Sequence, residues 1–262
     1  MTAAFQAYQQ RLMAKSHGIA RFFEKRMLLV ALFWLGIAVP LFAVKLLTPA
    51  YPFTAMGDLA LAAAFYAAII AAPIAGYTIT RSAFARADAR VQPRYRFAFL
   101  GRWKSVDPAR ARALPAYGPV GFMASLLVGM VLNVLIRTGE FVMAVPVMGS
   151  NAPAWGDAMF RLMAMDVVFS GFFYMAAFAM ALRSIPLFPR MLLFAWAVDL
   201  SMQLLIAKQL SAIGGIPPMV VEPLVTLLNG NIDKVLISAA IWLPYLLLSD
   251  RVNLTYRLRQ SA

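Results

Sequence analysis

Met27–Leu47, MLLVALFWLGIAVPLFAVKLL, decides the fold class. Its single charge is Lys45, close to one end. A hydrocarbon core about 30 Å thick takes about 20 apolar residues in a helix rising 1.5 Å per residue. The stretch has that length, with Pro40 as its one interior helix-bending residue. It is too long for a secretory signal and lacks a small-x-small exit site, so it reads as a first membrane span. Five further stretches of the same character follow. They are Gly57–Ile79, Tyr117–Ile136, Leu162–Leu182, Met191–Ser211 and a shorter Lys234–Ser249.

Composition agrees with lipid as the main solvent. Hydrophobic residues make up 62% of the 262, charged residues 13%, and the mean hydropathy is +0.74. Soluble domains carry about 45–50% and about 25%. The expected fold is an all-α, polytopic transmembrane helical bundle of about six spans. Its units are a basic tail over 1–26, a two-span hairpin over 27–80, a basic loop over 81–113 and a four-span bundle with a C-terminal tail over 114–262. Phe5, Tyr8 and Leu12 fall at helical spacing in the tail, as in a helix lying on the membrane surface. Residues 220–228 read as a re-entrant or surface segment before the last span.

Charge orients the spans. Nineteen of the 24 Lys and Arg fall in residues 1–26, 81–113, 183–190 and 251–262, the pieces on one side of an even-spanned chain. By the positive-inside rule both termini are expected in the cytoplasm, here of a bacterial cell with the protein in its inner membrane. The net charge of +13 is thereby explained without nucleic acid. With no Cys and His17 alone, thiol chemistry, disulfides and multi-His metal sites are excluded, and no cofactor is expected.

Charged groups inside spans cost about 2.5–3.5 kcal/mol at the centre, so they are the first candidates for a site. Asp199 lies nine residues past Arg190, about 13 Å deep, with Gln203 one turn further on the same face. It is a proton, cation or polar-ligand site, or a tie between helices. Arg137, Asp166 and Lys208 form a second expected group, nearer the outer face and at a different depth from Asp199. They pair with one another, or Arg137 and Lys208 snorkel to the headgroups. Glu140, Asp157, Glu222 and Asp233 read as loop residues in water.

The loop at 81–113 interleaves bases and aromatics, among them Arg94, Arg96, Arg102, Trp103 and Lys104. Each base near an anionic leaflet contributes about 1 kcal/mol, so the loop is expected to meet anionic lipid headgroups or a cytoplasmic partner. Ladders of small residues at spacing four, Ala60-Ala64-Ala68-Ala72-Gly76 and Gly121-Ser125-Gly129, suit close helix packing, within the chain or against another subunit or a second copy. No H-E-x-x-H, G-x-S-x-G or P-loop pattern occurs, which leaves an enzyme acting on lipids or glycans as a third option, with general acid–base work falling to Asp166 and Asp199.

The C-terminal run Ile241-Trp242-Leu243-Pro244-Tyr245-Leu246, with Ser249-Asp250-Arg251-Val252 and Thr255-Tyr256, resembles the ending of the bacterial inner-membrane domain of unknown function 2569 family. The turn Phe188-Pro189-Arg190 fits as well, and the resemblance spans about residues 115–258. Asp250 and Tyr256 depart from it, standing where a basic residue and phenylalanine are usual. The resemblance implies a membrane location and a four-span architecture, and no activity. Two non-enzymatic functions lead. The first is a non-enzymatic accessory or scaffold subunit of a membrane assembly, and the alternative is a small transporter or ion- or lipid-handling protein using Asp199.

Overall fold

The computed structural model describes residues 3–85, 92–93 and 101–262, with side chains from residue 15 onward. Six helices are long and apolar enough to cross a membrane. They are α1 (Ala3–Leu47), α2 (Met56–Ala83), α4 (Phe122–Ala144), α5 (Ala154–Leu182), α6 (Phe188–Ile213) and α7 (Pro218–Leu248). Between α2 and α4 lie a short strand β1 (Trp103–Ser105) and helix α3 (Pro108–Ala113). The chain closes with α8 (Asp250–Arg257) and β2 (Arg259–Ser261). The protein is therefore an all-α bundle of six spans, a multi-pass membrane protein, with one small β-ribbon added.

Several helix bounds differ from those read off hydropathy. The third span continues through Arg137-Thr138-Gly139-Glu140 to Ala144, and the fourth begins at Ala154. The last runs unbroken from Pro218 through Pro223 and Pro244, so 220–228 is the first part of that helix and not a separate re-entrant segment. One cause covers these differences: polar residues end an apolar window in sequence, but a helix continues through them when other helices supply their partners. The N-terminal segment is helical too, and α1 breaks at Arg26, whose φ of −119° and ψ of 15° are not helical.

Helix α5 is the centre of the bundle, with α2, α4 and α6 packed around it. It is buried along both ends and its middle, from Met159 and Phe160 to Ala177, Phe178 and Ala181. The α2 contact is the closest, because a Cβ on Gly76 would stand 2.2 Å from the Phe172 carbonyl oxygen. The alanine ladder of α2 serves this contact only in part: Ala72 and Gly76 are buried while Ala60 and Ala64 are exposed. A spacing of four overshoots the 3.6-residue turn and rolls about 40° per step. The buried stripe instead follows Ala62, Tyr66, Ile69, Ala72, Pro73 and Gly76. On α4, Ser125 and Gly129 face outward.

The two ends are closed differently. At one, the α1–α2 turn is stapled to the α4–α5 linker: Ala50 N–H donates to the Val147 carbonyl, and Ser150 Oγ accepts from the backbone N–H of Thr54 at 2.9 Å and Ala55 at 3.1 Å. The other end gathers the described parts of the basic segments. There the C-terminus is no loose tail, since Val252 and Tyr256 of α8 are fully buried. Tyr256 donates its hydroxyl to the Ala181 carbonyl, Thr255 Oγ1 accepts from Gly118 N–H, and Arg251 donates to the Ala116 carbonyl. Arg257 caps the end of α7 through the Leu246 carbonyl at 2.7 Å. Burial, with Arg259 and Arg190 nearby, lowers its guanidinium to about 10. Strand β2 then pairs antiparallel with β1, matching Lys104 to Gln260.

Two aromatic motif residues of the last span pack on the start of α4. Trp242 stacks on Phe122 with ring centres 4.4 Å apart, and Tyr245 meets the same ring edge-on at 5.0 Å.

Candidate functional site

The described residues form two apolar cores. One, toward the basic end, holds Val134, Tyr174, Phe178 and Trp196. The other holds Phe141, Met163, Val167 and Ile206. A polar layer lies at their junction. Arg137 falls between Val134 and Phe141 on α4, and Asp199 between Trp196 and Ile206 on α6.

Arg137 is the hub. Its Nε stands 2.9 Å from Asp166 Oδ2, and its Nη2 donates to Asp166 Oδ1 at 3.2 Å. The same Nη2 donates to Asp199 Oδ1. The other Asp199 oxygen accepts from the Tyr174 hydroxyl at 3.0 Å. Gln203 Nε2 donates to Asp166 Oδ1 at 2.9 Å, and Gln203 Oε1 accepts from Asn231 Nδ2 at 3.3 Å. Asn231 Oδ1 then accepts from Lys234 Nζ at 3.4 Å, and Lys234 is ion-paired with Glu140. One continuous chain of contacts thus joins α4, α5, α6 and α7. Arg137, Asp166, Asp199, Gln203 and Asn231 are all buried.

Asp199, Gln203, Asp166 and Arg137 therefore belong to one site, and the separate depths expected for the two aspartates are overturned. Arg137 does not end a span or snorkel, because the helix continues and the guanidinium is held by two carboxylates. Lys208 is not part of the cluster; it is exposed near the end of α6. Glu140 is no loop residue in water but pairs with Lys234 between α4 and α7. Tyr174 and Asn231 are members that sequence reasoning missed. The signal for Tyr174 was its place two turns past Asp166 within the fourth span, and for Asn231 its place one turn before Lys234, which requires knowing that α7 runs through.

Charge does not balance in the core of the site. One guanidinium faces two carboxylates, while Lys234 and Glu140 cancel each other. In a low-dielectric interior an uncompensated carboxylate is costly, so the cluster is suited to take up a proton or a cationic group.

A crevice leads to this layer. Helices α4 and α7 stand apart around a cavity of about 330 Å³ lined by Gly129, Asn133, Tyr174, Trp196, Lys234 and Ser238, among others. Gly129, Leu132 and Ile237 on its rim are exposed, so it opens sideways, where the bilayer would lie. The Phe122–Trp242–Tyr245 stack bridges α4 and α7 toward the basic end, and the Glu140–Lys234 pair bridges them toward the other.

Of the basic loop, Arg94 and Arg96 lie outside the described residues. Arg102 and Lys104 are exposed beside and on β1, and Trp103 is half-buried with the Arg259 guanidinium 5.8 Å above its ring. Among the described residues no group of three or more His, Cys, Asp or Glu could hold a metal ion.

No protein-family model, no curated protein and no solved structure was found to match the chain.

Proposed function

We propose that this protein binds a membrane-borne amphiphile in the α4–α7 crevice, with the polar end of the ligand directed at Tyr174 and Asp199. It is the ion- or lipid-handling reading of the chain, placed in a bacterial inner membrane with both termini cytoplasmic. The carrying observation is that a sideways-opening crevice ends on Tyr174, whose hydroxyl donates to Asp199. A lipid-facing slot with apolar walls and few polar groups at its floor suits a molecule that travels in the bilayer. Asn133, Tyr174 and Ser238 on the lining favour a hydrogen-bonding head. Positive-inside charge supports the location.

The accessory-subunit reading keeps one observation, the outward-facing Ser125 and Gly129 on α4, where a neighbouring helix would approach closely. Mass spectrometry of the protein purified in mild detergent separates the two. The amphiphile reading expects a copurifying small molecule that is lost in Gly129→Trp, which fills the crevice, and weakened in Asp199→Asn. A stoichiometric membrane protein with no such small molecule would establish the accessory reading instead.

A further inference from the structure

A second cavity lies at the basic end, away from the polar layer, and nothing in the reading above uses it. It measures about 660 Å³, within the range of small-ligand sites. Three elements bring arginines to it: Arg21 from α1, Arg112 from α3, and Arg183 from the α5–α6 turn. His17, one turn before Arg21, adds a further ring nitrogen, and Glu24 is the one carboxylate on the lining. The formal charge of the lining is therefore +2 with His17 neutral.

The apolar wall is buried where the charges are not. Gly118, Pro119, Val120 and Leu182 are buried, and Gly118 is tied to Thr255 of α8. Arg183 is positioned by its own bond, Nη1 donating to the Arg81 carbonyl at 2.8 Å. Arg21 and Arg112 are exposed, so the cavity is open to water. Guanidinium groups present planar, forked donors that match phosphate oxygens, and several converging on one hollow select a multivalent oxyanion over a single carboxylate.

We propose that this vestibule is a binding site for a phosphate group. The phosphate belongs either to an anionic phospholipid headgroup in the adjoining leaflet or to a soluble phosphate compound. The vestibule is also where the N-terminal part of α1, beyond the break at Arg26, meets α3 and the α5–α6 turn. A bound phosphate would hold these three elements together.

The experiment uses the full chain in detergent and in nanodiscs. Native mass spectrometry is run on nanodiscs of phosphatidylglycerol mixed with phosphatidylcholine, and calorimetry on detergent-solubilised protein with pyrophosphate. The variant Arg21→Gln/Arg112→Gln removes two lining charges at exposed positions. Arg161→Gln/Lys208→Gln removes the same charge elsewhere. Loss of two charge-assisted contacts predicts weakening of about tenfold or more for the first pair and little change for the second. Retention of phosphatidylglycerol without pyrophosphate binding identifies a headgroup site, and pyrophosphate binding identifies a site for soluble phosphates. Absence of both, or an equal effect of the two double variants, overturns the proposal.

Discussion

Arg137 holds two carboxylates that come from different helices, and each depends on it. Removing the guanidinium leaves Asp166 and Asp199 facing each other in the bundle interior. Arg137→Met is expected to cost about 3–5 kcal/mol, read as a lowered unfolding temperature in detergent. The triple variant Arg137→Leu/Asp166→Leu/Asp199→Leu removes all three charges and should recover most of that loss. If the triple variant is no more stable than Arg137→Met, the cluster is not held together by charge. If it is stable and still retains the copurifying amphiphile, the cluster is a structural clamp and takes no part in binding. The cluster was half legible in sequence: an Asp, a Gln and an Arg in apolar surroundings mark themselves by their cost. That Arg137 serves both aspartates was not, because the pairing runs between helices 29 and 62 positions apart in the chain.

At the scale of elements, the α2–α5 contact sets how tightly the bundle closes. Gly76→Ala places a methyl group against the Phe172 carbonyl oxygen, so the two backbones must separate. The expected cost is about 1–3 kcal/mol, and a larger side chain should prevent assembly. Gly129→Ala is the control, since nothing stands within 4 Å of an added Cβ there. It should be neutral or gain about 0.5–1 kcal/mol from helix propensity. Equal destabilisation by the two substitutions would show that α2 and α5 are not in backbone contact. The alanine ladder itself was visible in sequence, yet its period of four could not tell which of its members face α5. Roll of the helix decides that, and roll is set by what the helix packs against.

For the whole molecule, the ribbon between β1 and β2 and the buried α8 bring the chain's last residues back to the loop after α2. Among the described residues the basic segments thereby form one end. If that end is cytoplasmic, a single cysteine at Lys104 should react with a membrane-impermeant maleimide only after spheroplasts are lysed. One at Asn151, exposed at the opposite end, should react in intact spheroplasts. The native chain has no cysteine, so each label reports one position. The reverse pattern would invert the orientation and the leaflet assigned to the vestibule.

Composition and apolar run length by themselves determined that the chain is a six-span helical membrane protein. Those properties depend only on how each segment partitions between water and hydrocarbon. Where each helix ends, which polar residues meet and where the bundle leaves space were decided by the tertiary structure alone. The run Arg137-Thr138-Gly139-Glu140 shows why. Taken singly, its charges belong outside a membrane, and they become tolerable inside one only when Asp166, Asp199 and Lys234 arrive from other helices to meet them.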